Sequence, residues 1–139
     1  MDKVVVDSSV WIDFFNRKSS FQINYLKKIL NDSSTSSPVI MLPIILQEVL
    51  QGIEKDSFFK LVKENLEGCD FLYYEPYELA IKAAQLYRSL RSKGVTINKI
   101  NDCLIASICI DYKIPLFHND KDFDKIAKHT SLKIYKNKE

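Results

Sequence analysis

The chain contains little glycine, and this excludes two large classes of nucleotide-binding protein. Gly52, Gly68 and Gly94 are its only glycines among 139 residues. A phosphate-binding P-loop and the dinucleotide-binding motif of Rossmann dehydrogenases each need closely spaced glycines, which let the backbone approach a phosphate group. The three glycines lie too far apart to build either loop.

Cysteine and long apolar runs are also scarce. Cys69, Cys103 and Cys109 are odd in number, and no two of them form a C-x-x-C pair. This usage predicts buried, reduced thiols and argues against a zinc site. No apolar run is long enough to span a membrane, and the chain enters an apolar strand without a signal-peptide pattern. We therefore expect a cytoplasmic protein with no membrane association.

A strong excess of charge of one sign is absent as well. The formal net charge is +2, too small to indicate nucleic-acid binding by itself, although a local basic patch is compatible with it. A hydrophobic content of 46% and a charged content of 27% are ordinary for a globular protein. The length fits a single domain, residues 1–139, which can bury roughly two thirds of its unfolded surface.

Short apolar segments alternate with segments of helical periodicity. The five predicted strands are rich in β-branched or aromatic residues and span 3–7, 39–42, 71–74, 114–117 and 132–134. The predicted helices span 10–16, 21–30, 43–52, 55–66, 76–93, 102–111 and 121–128. This alternation predicts an α/β fold: a three-layer α/β/α arrangement around a five-stranded, mostly parallel sheet.

Four acidic residues lie at or beside the ends of apolar segments. Asp7 closes the first strand, Glu48 lies about one turn into the helix after the second, Asp102 begins a helix, and Asp120 follows the fourth strand. Ligands of parallel sheets bind beyond the carboxyl ends of the strands, where these acids should converge. Converging carboxylates repel each other unless a cation neutralises them, and hard oxygen ligands favour Mg²⁺ or Mn²⁺. We predict that all four are catalytic metal ligands and that Asp122 is a fifth candidate ligand.

Simpler explanations exist for several of these acids. Asp102 and Asp120 both precede apolar helices and could be ordinary N-caps. Glu48 could be a solvated helix residue, although its neighbours are apolar. Asp7 is the hardest to explain away, because it ends a strand expected to be central, where an unpaired charge is costly.

The sequence leaves open the roles of the polar residues beside these acids. Ser9 and Asn119 could orient the acids or hold a metal-bound water, but helix capping explains them equally well. His118, beside a strand end, is more often structural than catalytic, and no Ser/His/Asp set is evident. We expect Asp124 to be exposed.

Four motifs together resemble the PIN-domain proteins, specifically the VapC-type toxins of toxin–antitoxin pairs. The motifs are VVDSSVWI at 5–12, LQEVLQG at 46–52, INDCLIA at 100–106 and LFHNDKDF at 116–123. Each motif is short, but the four occur in the family's order and together span essentially the whole chain. The resemblance implies that the acids bind Mg²⁺ or Mn²⁺, that the protein is an endoribonuclease, that a small antitoxin inhibits it, and that it forms a homodimer. Family members vary in the last motif, so the fourth acid could be Asp120 or Asp122.

Two functions are compatible with these observations. The first is a metal-dependent endoribonuclease, with Lys121, Arg88, Arg91 or Lys93 contacting the RNA backbone. A simpler explanation of these basic residues is favoured, since Arg91 and Lys93 end a helix, where cations complement its dipole. The second is a non-catalytic PIN-like module that binds RNA or protein. The presence of every expected acid favours the enzyme. For an antitoxin, we expect a groove along the apolar faces of the helices at 21–30 and 44–53, where an antitoxin Arg could block the site.

Overall fold

A computed structural model describes residues 3–17, 24, 26, 27 and 38–135 of the chain. Along residues 3–17 and 38–135, four strands and six helices follow in the order β1 (Val4–Val6), α1 (Ser8–Phe15), β2 (Val39–Met41), α2 (Pro43–Gln51), α3 (Asp56–Glu67), β3 (Asp70–Phe71), α4 (Pro76–Ser92), α5 (Asp102–Asp111), β4 (Leu116–Phe117) and α6 (Lys121–His129). The predicted helix at 21–30 falls almost wholly outside the described residues, but Leu26 within it is buried.

The strands form a parallel sheet in the order β3-β2-β1-β4, flanked by helices. The central strand β1 is a continuous buried run of valine, as expected where both faces of a parallel sheet are covered. The predicted α/β/α architecture is thus confirmed.

The predicted fifth strand is reduced to a single parallel bridge between Ile134 and Leu116. The amide of Tyr135 donates to the carbonyl of Leu116 at 2.8 Å, so this segment lies along the outer edge of β4. β4 itself begins two residues later than predicted. Pro115 has no amide hydrogen to donate to a ladder, which restricts regular pairing to Leu116 and Phe117.

Proline and glycine mark the ends of several helices. Pro43 and Pro76 are the first residues of α2 and α4, where a missing amide hydrogen costs nothing. Gly94 follows α4 with a φ of +80°, a conformation that favours glycine. The chain then runs through residues 95–101 into α5.

Two features of the fold bring separate segments to one edge of the sheet. The amide of Asp7 donates to the carbonyl of Phe117 at 2.9 Å, which ties the end of β1 to the end of β4. Helix α5 packs against both α4 and α6, and most of its side chains are buried. Its first residue, Asp102, is therefore held below the surface rather than at a solvated helix end.

Candidate metal centre

Asp7 is a buried carboxylate with one oxygen engaged and one oxygen free. It is 3% exposed, and its Oδ2 accepts hydrogen bonds from the Ser9 amide at 3.0 Å and the Ser9 hydroxyl at 2.6 Å. Its Oδ1 is buried without a hydrogen-bond partner. Burial raises the pKa of Asp7, even though the bonds from Ser9 favour the ionised form. Asp7 is also the N-cap of α1, so helix capping does not explain Ser9.

Ser9 connects Asp7 to the loop after β4. Its Oγ donates to Asp7 and accepts from the amide of Asn119 at 3.0 Å. The side-chain amide of Asn119 in turn donates to Asp13 at 3.1 Å. Of the roles that the sequence leaves open for Ser9, its contacts in the structure fit the orientation of an acid.

Glu48 is held by two side chains from different elements. Its Oε1 accepts from the Ser8 hydroxyl of α1 at 3.2 Å, and its Oε2 accepts from the Asn101 amide at 3.4 Å. Burial, followed by the negative charge of Asp7, raises the pKa of Glu48. A freely solvated helix residue would have neither these hydrogen bonds nor a raised pKa. Glu48 is therefore not simply a solvated helix residue.

Asp102 is a second buried acid with a free carboxylate oxygen. It is 2% exposed, and its Oδ2 is buried without a hydrogen-bond partner. Burial, with the charges of Asp120 and Asp7, raises its pKa to about 8. The N-cap of α5 is Asn101, not Asp102, and the cap makes no side-chain hydrogen bond there. Helix capping therefore does not explain the carboxylate of Asp102.

Asp120 does cap a helix, as the simpler explanation requires. Its Oδ1 accepts from the Asp122 amide at 3.0 Å, at the start of α6, and its Oδ2 pairs with Lys99 Nζ at 3.0 Å. Burial alone would raise the pKa of Asp120, but the Asp122 amide and the Lys99 charge outweigh it and lower the pKa. Asp120 therefore ionises more readily than Asp7, Glu48 or Asp102, whose pKa values are raised.

Asp122 lies beside Asp120 and Asp102. It is 7% exposed, accepts from the Asn98 amide at 3.2 Å and lies 3.4 Å from Lys125 Nζ. One carboxylate oxygen from each of Asp102, Asp120 and Asp122 lies within 4.8 Å of the others. Both candidates for the fourth acid thus meet Asp102, whereas Asp7 and Glu48 fall outside this trio and are linked to it through their charges.

The donor set fits a hard divalent cation. Carboxylate oxygens are the ligands that Mg²⁺ and Mn²⁺ prefer. Asp7 Oδ1 and Asp102 Oδ2 are buried acceptors without a donor, an arrangement that is costly unless something positive meets them. Burial, and after it the negative charge of neighbouring acids, raises the pKa values of Asp7, Glu48 and Asp102, and a bound cation would counter both effects.

The segment before α5 supplies contacts that the sequence does not reveal. Asn98 donates to Asp122, Lys99 pairs with Asp120, and Asn101 donates to Glu48. Asn101 lies inside a recognisable motif, but nothing in the sequence distinguishes Lys99 from the chain's many other lysines. The contacts become visible only once the turn that contains them is placed over the acids.

Both ring nitrogens of His118 have partners within the protein. Its Nδ1 accepts from the Asp120 amide at 3.0 Å, and its Nε2 lies 3.2 Å from Asp124. An accepting Nδ1 places the proton of the neutral ring on Nε2, facing that carboxylate. Asp124 is exposed, as predicted.

The basic residues considered for RNA contacts are all exposed but lie in two places. Lys121 is the first residue of α6, directly after Asp120. Arg88 and Arg91, on α4, line a groove of about 620 Å³ whose remaining wall is mostly apolar and includes Tyr87, Ile97 and Ile100. The Arg91 guanidinium lies 5.6 Å from the centre of the Tyr87 ring.

Buried carboxylates gathered at the carboxyl edge of a parallel sheet define an α/β protein with a candidate divalent-metal site. The PIN domain family model matches residues 4–129. The chain is 30% identical over 129 residues to Ribonuclease VapC11 of Mycobacterium tuberculosis and to VapC ribonuclease Mb1587 of Mycobacterium bovis, covering 93% of this chain and 95% of each relative. The crystal structure of DNA-bound VapBC from Salmonella typhimurium superposes with a TM-score of 0.75 and 20% identity over 97% of this chain and 98% of that one. The chain belongs to the PIN-domain family, with VapC-type toxins as its relatives.

Proposed function

We propose that this protein is a divalent-metal-dependent endoribonuclease and the toxin of a toxin–antitoxin pair. One observation carries the metal dependence: Asp7 Oδ1 and Asp102 Oδ2 are buried and lack a hydrogen-bond donor, in a chain whose relatives are named ribonucleases. A module that only binds RNA or protein has no need for two such oxygens, which destabilise the fold when nothing positive meets them.

Each acid has a distinct task in this proposal. Asp102, Asp120 and Asp122 hold Mg²⁺ or Mn²⁺, and Asp7 contributes its free Oδ1 from the end of β1. Glu48 lies on α2, is held by hydrogen bonds from Ser8 and Asn101, and adds its negative charge to the site.

The bound ion would supply a nucleophilic water at neutral pH and would stabilise the charge that develops on the phosphate. The chain's own contribution is to fix the acids in place and to orient the RNA. Lys121 lies next to Asp120 and is exposed, so we assign it a contact to the RNA backbone. Hydrolysis that leaves a 5′ phosphate and a 3′ hydroxyl is the expected outcome.

An apolar depression between α1, α2 and α3 suits an antitoxin segment. It is lined by Ile12, Phe15, Val49, Ile53 and Phe58. Ser8 and Glu48 lie on the same two helices, α1 and α2, so a peptide in this depression would run close to the acids. We propose that an antitoxin packs an apolar helix face here and directs an Arg, whose planar fork pairs with carboxylates, toward the site.

A different face suits a second copy of this chain. Large apolar side chains stand exposed along the outer face of α4 and at its neighbouring turn: Tyr77 is 77% exposed, Ile81 is 47% and Ile100 is 91%. Exposed apolar residues that are continuous with an apolar groove indicate a protein contact. We propose that this face forms the homodimer interface.

RNA cleavage with and without EDTA tests the proposed enzyme. The wild type should cut RNA only with Mg²⁺ or Mn²⁺, and Asp7→Asn should abolish cutting while the fold, measured by circular dichroism, is kept. The exposed Asp56 at the start of α3 provides a matched control, and Asp56→Asn should cut like the wild type. Cleavage by the wild type in EDTA, or undiminished cleavage by Asp7→Asn, would exclude the proposed enzyme.

A further inference from the structure

Lys99 touches the acid site through both its backbone and its side chain. Its carbonyl accepts from the Asp102 amide at 3.2 Å, at the start of α5. Its Nζ donates to Asp120 Oδ2 at 3.0 Å. One residue thereby accepts a hydrogen bond from the backbone of Asp102 in the turn before α5 and forms an ion pair with a second acid.

The charge of Lys99 extends over the whole group of acids. Besides its direct partner Asp120, its ammonium interacts electrostatically with Asp102, Asp7 and Glu48. Among the described residues, Lys125 also pairs with an acid of the site and lies 3.4 Å from Asp122 along α6. Lys99 is therefore placed to neutralise, in part, the repulsion among the four acids.

This neutralisation is incomplete and easily reversed. The side chain of Lys99 is 63% exposed, whereas that of Asp120 is 15% exposed. An ion pair with one solvated partner is weak, and the long flexible stem of lysine can turn away without any movement of the backbone. Asp7 Oδ1 and Asp102 Oδ2 keep no hydrogen-bond partner while Lys99 is in place, so the ammonium does not fill the position that a metal ion would take.

A divalent ion held by Asp102, Asp120 and Asp122 would place its charge beside the Lys99 ammonium. We propose that Lys99 is a built-in counter-ion of the metal-free site, which stabilises the empty acid cluster and must leave Asp120 when the metal binds. The inference rests on the proposed metal site. It predicts opposite effects on two properties: Lys99 raises the stability of the metal-free protein and lowers its affinity for metal.

Mn²⁺ titration by calorimetry, without RNA, separates this role from a purely structural one. Lys99→Gln removes the charge and should bind Mn²⁺ about three- to tenfold more tightly, the size expected for loss of a partly solvated like charge. Lys99→Arg keeps the charge and should bind like the wild type. Lys82 is a matched control, because it is also paired with acids, including Asp111 at the far end of α5; Lys82→Gln should leave Mn²⁺ affinity unchanged.

Thermal unfolding in EDTA measures the other property, the stability of the metal-free protein. Lys99→Gln should unfold a few degrees below the wild type, and saturating Mn²⁺ should abolish or reverse that difference. If Lys99→Gln binds Mn²⁺ as the wild type does, or more weakly, the counter-ion role is wrong while the metal site stands. If the wild type itself binds no Mn²⁺, both the counter-ion role and the proposed metal-dependent function are wrong.

Discussion

The hydroxyl of Ser9 lies 2.6 Å from Oδ2 of Asp7 and turns the other oxygen, Oδ1, toward a buried position without a donor. The same hydroxyl accepts from the Asn119 amide at 3.0 Å, so its own position is fixed by the loop after β4. An acid at the end of β1 is thus oriented by the helix that it caps. Such a second layer of contacts is known to set the strength of a metal site.

Ser9→Ala should weaken the site without unfolding it. The variant keeps the bond from the residue 9 amide to Asp7 but loses the stronger hydroxyl bond, so the carboxylate can rotate. We expect Mn²⁺ affinity and RNA cleavage to fall by about 10- to 100-fold. Ser92→Ala removes a hydroxyl that bonds only within α4, and it should leave both quantities unchanged. Wild-type affinity in Ser9→Ala would show that Asp7 does not need this orientation.

The sequence predicts the sheet and the convergence of the acids because both depend on coarse, regular signals. A run of valines such as Val4–Val6 predicts a buried strand. Parallel strands then place their carboxyl ends at one edge of the sheet. A capping assignment fails where it depends on a single residue: Asp7, rather than the serine that follows it, caps α1. The residue at which the backbone turns helical is set by tertiary contacts, which carry no local pattern.

The pairing of Lys99 with Asp120 could not be predicted for a related reason. Twenty-one residues separate these two partners, and the lysine is exposed, so neither periodicity nor apolar context marks it. The sequence likewise leaves Asp120 and Asp122 as alternatives, because residues two apart at a helix start can face the same site. The structure brings both of them to Asp102.

The stability of the metal-free protein should fall as the pH rises from about 4 to about 8. Burial raises the pKa of Asp102 from its ordinary 3.8 to about 8, so between these values the folded protein holds a proton that the unfolded chain has lost. The folded state then binds more protons than the unfolded state, and stability decreases with pH until Asp102 is ionised in both. Melting temperatures in EDTA at a series of pH values measure this decline.

Asp102→Asn isolates that contribution. An amide cannot ionise, so the variant should show a flatter decline and should melt above the wild type at pH 8, although it no longer binds Mn²⁺ tightly. Saturating Mn²⁺ should remove the decline in the wild type, because the ion stabilises the ionised carboxylate. Equal slopes for the wild type and Asp102→Asn in EDTA would assign the pH dependence to other groups.

Asp120→Asn and Asp122→Asn should each lower Mn²⁺ affinity by at least about tenfold, since both acids reach Asp102. Asparagine caps helices as well as aspartate does, so Asp120→Asn should keep α6 intact, with a metal-free melting temperature near that of the wild type. The exposed acid Asp124 on the same helix provides the control, because Asp124→Asn should bind Mn²⁺ normally. If one of these two variants binds Mn²⁺ normally, the acid replaced in the other variant is the single fourth acid.

We expect the exposed face of α4, together with Ile100, to form the contact between two copies of the chain. Ile100 is 91% exposed at the rim of the groove beside α4, and a carboxylate there would have to be buried at a dimer interface without a partner. Ile100→Glu should therefore shift the mass measured by light scattering from dimer toward monomer at micromolar concentration. Leu61, 55% exposed on α3, gives a matched control, and Leu61→Glu should remain dimeric. A dimer that survives Ile100→Glu, or a monomeric wild type, would rule out this face as the homodimer contact.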